Sequence, residues 1–128
     1  MLTVEVTDAG GLTDSATVTI ALTDVAEGPV TKFYVVDTSA DDAFRYEADG
    51  TAVGATNLTG DNSVSRGVAA DATGSTFWVI DSDDRVYVYN ADGTLNGFWQ
   101  ASGLTNPQGI ATDSTDIWIV DSTSDSVY

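Results

Sequence analysis

The chain has 128 residues, 42% of them hydrophobic and 9% aromatic, a composition that supports a packed core and not a disordered segment. Twenty acidic residues against four basic ones give a formal net charge of −16, which repels phosphate backbones and anionic lipid and so argues against nucleic-acid and membrane roles. With no Cys and no His there is no disulfide framework, thiolate zinc site, thiol nucleophile or imidazole base.

Met1 leads directly into an alternating segment, without a basic-then-apolar leader, so the natural N-terminus is expected upstream. Leu2, Val4 and Val6 fall on one side, and Thr3, Glu5 and Thr7 on the other, the period of a half-buried strand. Asp8-Ala-Gly-Gly11 is a turn signal. Alternation resumes over 16–23, with Ala16, Val18, Ile20 and Leu22 opposite Thr17, Thr19, Ala21 and Thr23. The pair predicts an antiparallel hairpin that is too small to stand alone. Gly28-Pro29 then interrupts the pattern, and residues 28–32 are predicted to be a linker.

From residue 33 onward one stretch recurs: Phe33-Tyr-Val-Val-Asp37, Phe77-Trp-Val-Ile-Asp81 and Ile117-Trp-Ile-Val-Asp121. The copies stand 44 and then 40 residues apart, a spacing typical of β-propeller units. The middle copy predicts four strands: Gly67–Asp71, Thr76–Ile80, Arg85–Tyr89 and Thr94–Ala101. Asn90-Ala-Asp-Gly93 is the hairpin turn between the last two. The first copy holds only the second to fourth strands (Phe33–Val36, Ala43–Tyr46, Thr51–Leu58), and the last has Gly109–Asp113 and Ile117–Val120 and stops inside its third strand. Phe77 and Val79 point one way and Trp78 and Ile80 the other, so this strand needs a neighbour on both faces. Stacked propeller blades supply that.

Two resemblances follow from these motifs. Leu2-Thr-Val-Glu-Val-Thr-Asp8-Ala-Gly-Gly-Leu12 with Ala16-Thr-Val-Thr-Ile-Ala-Leu-Thr-Asp24-Val-Ala-Glu27 resembles the end of a bacterial cadherin-like repeat, with Ala26 in place of the linker asparagine. That resemblance implies a calcium site drawing on Asp8, Asp24 and Glu27. Residues 33–128 resemble the NHL-type propeller repeats of secreted bacterial proteins, most closely at Asn106-Pro-Gln-Gly109-Ile-Ala-Thr-Asp113 and Ile117-Trp-Ile-Val-Asp121. The expected organisation is therefore all-β. Residues 1–27 end a cadherin-like sandwich, 28–32 are a linker, and 33–128 form an incomplete propeller of blades 33–58, 67–101 and 109–128.

Asp37, Asp81 and Asp121 are expected to cap the turns that leave their strands, because one residue type recurs at one structural position in every copy. Asp81-Ser-Asp-Asp84 fails as an EF-hand loop, since Arg85 and Val86 stand at later ligand positions. Tyr34, Trp78 and Trp118 share one repeat position, where packing between blades outweighs carbohydrate stacking. Serines abound, but Lys32 is the only lysine and no nucleophile–base pair can be assembled. The expectation is a non-enzymatic extracellular or cell-surface bacterial scaffold for adhesion or ligand binding, calcium-stiffened at its linker. Its partner would be a protein or carbohydrate, not nucleic acid, and it would not insert in a membrane. The alternative is a substrate-positioning propeller attached to an enzyme. The repeat is expected to continue beyond residue 128, and the fragment to self-associate through its open edges.

Overall fold

The computed structural model describes residues 2–18 and 33–128. Every helix or strand among them is a strand. β1 (Leu2–Thr7) and β2 (Thr13–Val18) form an antiparallel hairpin with Leu2 opposite Val18 and Thr7 opposite Thr13. The second strand starts earlier than residue 16 because the turn is tight. Asp8 N–H donates to the Leu12 carbonyl at 2.9 Å and Gly11 N–H to the Asp8 carbonyl at 3.0 Å, with Gly11 at φ 80°. The expected remainder of that strand, the linker 28–32, and Asp24 and Glu27 lie outside the described residues.

Three further sheets follow in chain order. The first joins β3 (Phe33–Asp37), β4 (Asp42–Tyr46) and β5 (Ala52–Asn57). The second joins β6 (Ser65–Ala70), β7 (Thr76–Asp81), β8 (Arg85–Asn90) and β9 (Leu95–Gln100). The third joins β10 (Pro107–Thr112), β11 (Ile117–Asp121) and the short β12 (Ser126–Val127). Each is an antiparallel meander, and β6 lies against β3 on one side and β10 on the other. The architecture is an incomplete β-propeller.

Local chemistry explains the turns. Gly50 and Gly93 both take φ 87° and donate to the Glu47 and Asn90 carbonyls at 3.0 and 2.8 Å. The positive φ falls on the glycine of each Asp-Gly pair. Asp49 and Asp92 instead accept the Thr51 and Thr94 amides, both at 2.9 Å.

The opening strands of the second and third sheets begin two residues before the expected Gly67 and Gly109. Ser65 pairs with Asp81 and Pro107 with Asp121, each across a bulge. Gly67 sits where the two sheets come close together. A Cβ there would lie 2.9 Å from the Gly109 Cα.

The core is the double-sided burial expected of β7. Phe77 and Val79, with Tyr87 and Tyr89 of β8, pack against Ala43, Leu58, Tyr34 and Val36 of the first sheet and its following loop. Ile80 and Val86, with Trp78, pack against Leu104, Ile110, Ile117 and Ile119 of the third sheet and the loop leading to it. Tyr34 stacks on Phe77 at 4.6 Å between centroids, and Phe77 on Tyr89 at 5.0 Å. This three-ring column joins two sheets.

Candidate functional site

β3, β7 and β11 each end in an aspartate, and each opens a turn into the next strand. The Asp37 carboxylate is exposed and accepts the Ser39 and Ala40 amides at 2.7 and 3.3 Å. Asp81 and Asp121 are buried and reach further. Asp81 accepts the Asp83 amide at 3.2 Å and the Ser82 hydroxyl at 3.1 Å through Oδ1, and through Oδ2 the amide of Val64 at 2.8 Å. Asp121 accepts Thr123 and Ser124 amides at 3.0 and 2.9 Å through Oδ1, and Thr105 and Asn106 amides at 2.6 and 2.7 Å through Oδ2. One oxygen caps the turn while the other fastens the incoming segment of the same sheet. Capping was the sequence expectation, and the fastening is additional. It also explains why β6 and β10 begin early.

These carboxylates gather along one rim of the stack. The Thr105, Asn106 and Ser124 amides hold the Asp121 carboxyl well below the usual carboxylate range. Its neighbour Asp84 moves the opposite way. Burial raises the Asp84 pKa, and the charges of Asp121 and Asp83 raise it further. Asp84 Oδ1 is shielded from solvent and accepts no hydrogen bond from the described residues. Asp84 also takes φ 64°, as Asp41 and Asp125 take 53° and 50° at the same point of their turns. Short polar side chains tolerate that left-handed region better than most.

At the other rim Asp71 closes the turn between β6 and β7. Burial pushes its pKa up, but bonds from the Ser75 and Thr73 side chains and amides outweigh it and hold the carboxyl well below the usual range. The Ala72 amide donates to the Ser114 hydroxyl at 2.9 Å, so this turn is also tied to the next sheet.

Of the calcium candidates, Asp8 lies at the tip of the β1–β2 hairpin, where its Oδ1 accepts the Gly10 and Leu12 amides at 2.8 and 2.9 Å. Asp24 and Glu27 lie outside the described residues. Among the described residues no group of three or more Asp or Glu is arranged to hold a metal ion. Of the three aromatics at one repeat position, Tyr34 and Trp78 pack between sheets, as expected, whereas Trp118 is exposed.

Sequence reasoning missed the polar ties between sheets. Arg45 donates to the Ala91 carbonyl at 3.1 Å and Thr38 to the Ser65 carbonyl at 2.9 Å. Buried Asn62 donates to the Tyr89 hydroxyl at 3.1 Å. Phe33 opposite Tyr46 and Phe77 opposite Tyr89, 13 and 12 residues apart, form matching cross-strand stacks.

No protein-family model and no curated protein matches the chain. Among solved structures it is similar to the WD40 domain of Neurospora crassa Pan2, at 11% sequence identity and a TM-score of 0.46, over 76% of this chain and 34% of that one. The chain thus spans about a third of the length of that structure.

Proposed function

We propose that this chain is part of a non-enzymatic extracellular or cell-surface scaffold that presents loops to a protein or carbohydrate ligand. The observation that carries this reading is the use made of the repeated aspartates. Asp81 and Asp121 spend both carboxylate oxygens on amides and hydroxyls of their own sheet. They stiffen a frame and leave the exposed side chains of Asp61, Ser102 and Thr105 in the adjoining loops free to vary. The high negative charge favours a partner with basic or neutral polar surface.

The function is tested on glycan and matrix-protein arrays probed with the 128-residue chain. Saturable binding that is lost on replacing the exposed Ser102 and Thr105, with Leu104 kept, supports the scaffold reading. Failure to bind any arrayed ligand, or turnover of one, counts against it.

The calcium element of the proposal assigns carboxylate oxygens of Asp8, Asp24 and Glu27 to one Ca²⁺. Its support is the residue type, an oxygen donor set that suits a hard cation. Three carboxylates leave much of a six- to eight-oxygen shell to water, so calorimetry should give a Kd on the order of millimolar. Asp8→Asn should weaken it further. Micromolar binding would contradict so open a site.

A further inference from the structure

The two interfaces between sheets use the same pair of faces. In the first, Tyr34 and Val36 of one sheet meet Phe77, Val79, Tyr87 and Tyr89 of the next. In the second, Trp78 and Ile80 meet Ile117 and Ile119. Trp78 and Ile80 hold the repeat positions of Tyr34 and Val36, and Ile117 and Ile119 those of Phe77 and Val79. Each sheet thus has a forward face and a receiving face, and the chain joins them in that order twice.

One face of each kind remains open. On the first sheet it is a receiving face, with Phe33 42% and Val35 46% exposed beside Phe44 and Tyr46. On the third it is a forward face, with Trp118 40% and Val120 48% exposed. The open receiving face is already built as the occupied one is. Phe33 stacks on Tyr46 at 5.1 Å and 11° between planes, against 5.0 Å and 10° for Phe77 on Tyr89. Phe77 carries a third ring, Tyr34, at 4.6 Å. The residue at the Tyr34 position of the open forward face is Trp118.

We propose that copies of this chain associate head to tail, the Trp118–Val120 face of one seating on the Phe33–Val35 face of the next, with Trp118 stacked on the partner's Phe33. A heterologous contact of this kind either closes into a ring or runs on as a filament. Two copies bring six such sheets, three from each, within the roughly four to eight blades that close a propeller. Three copies would bring nine and exceed it. The assembly is therefore a closed pair. Its apolar faces bring together two chains of formal charge −16, so salt should tighten it by screening the repulsion.

The test is light scattering coupled to size exclusion on the 128-residue chain, at low and high ionic strength. The expected mass is twice the 13.3 kDa of one chain, with the paired fraction rising with salt. Val35→Asp and Val120→Asp should each shift the species away from the closed pair while keeping the β-sheet circular dichroism, because both side chains lie on open faces. Mixing the two variants should restore pairing through the single junction that retains both native faces. Trp118→Tyr, which copies the Tyr34 ring, should still pair, and Trp118→Ser should not. If a charged variant fails to fold, concentration-dependent tryptophan fluorescence of the unaltered chain decides, with a blue shift expected on pairing. A monomer at all concentrations, large filaments, or variants that pair only with their own kind would each overturn the proposal. The monomer would leave a further blade of a longer chain as the occupant of these faces.

Discussion

Replacing Asp81 by alanine separates a structural role for the repeated aspartates from a chemical one. The substitution removes three bonds: Val64 N–H at 2.8 Å, Ser82 Oγ–H at 3.1 Å and Asp83 N–H at 3.2 Å. A hydrogen bond to a charged acceptor contributes about 1.5–3 kcal/mol net. The Val64 bond belongs at the lower end, about 1.5 kcal/mol, because Val64 is exposed and water can reach its freed amide. The two longer, local bonds add about 0.5 kcal/mol each at most, and they are not fully additive. The expected loss is about 2 kcal/mol, or a fall of about 8 °C in melting temperature at roughly 4 °C per kcal/mol for a chain of this size.

Thermal melts followed by circular dichroism, with urea titrations alongside, measure it. Asp81→Asn should fall between wild type and alanine, since its carbonyl can accept one amide but its NH2 cannot accept the other. Asp37→Ala is the internal control. Among the described residues it accepts only the local Ser39 and Ala40 amides, so its effect should be less than half as large. An unchanged midpoint for Asp81→Ala, or equal losses at Asp37 and Asp81, would refute the fastening role.

Gly67→Ala should destabilise the chain by about 1–3 kcal/mol in urea titrations, since its Cβ would meet the Gly109 backbone at 2.9 Å and the sheets must move apart; a neutral result would mean that this approach is not tight in solution. Asp71 has a folded pKa below its unfolded value near 3.9, so its stabilisation is complete above that value and is lost as pH falls through the folded pKa. Melting temperature should therefore drop on acidification below about pH 4, and Asp71→Asn should flatten that slope. Asp84 has the opposite sign: its folded pKa is raised, so its charge opposes folding at neutral pH and the penalty fades on acidification. Asp84→Asn should raise the melting temperature at pH 7, with the gain shrinking in acid, and a lower melting temperature at pH 7 would show that the carboxylate has a partner of its own.

The amino-acid sequence by itself determined the order of the strands and the unit they build, but not where β2, β6 and β10 begin. Alternation at period two depends only on neighbouring residues, and the recurrence at 44 and 40 residues places equivalent strands without knowledge of contacts. It also determined that Phe77-Trp-Val-Ile80 needs cover on both sides and that the aspartate closing each copy serves its turn. Only the tertiary structure decided which face of each sheet meets which neighbour. Phe33 and Tyr34 are equally apolar in sequence, yet one faces out and the other stacks on Phe77. The same holds for the second oxygen of Asp81, which finds an amide 17 residues away, and for Arg45, which reaches a carbonyl 46 residues away. Those partners are chosen by how the sheets stack, and stacking places side by side residues whose separation along the chain carries no periodic signal.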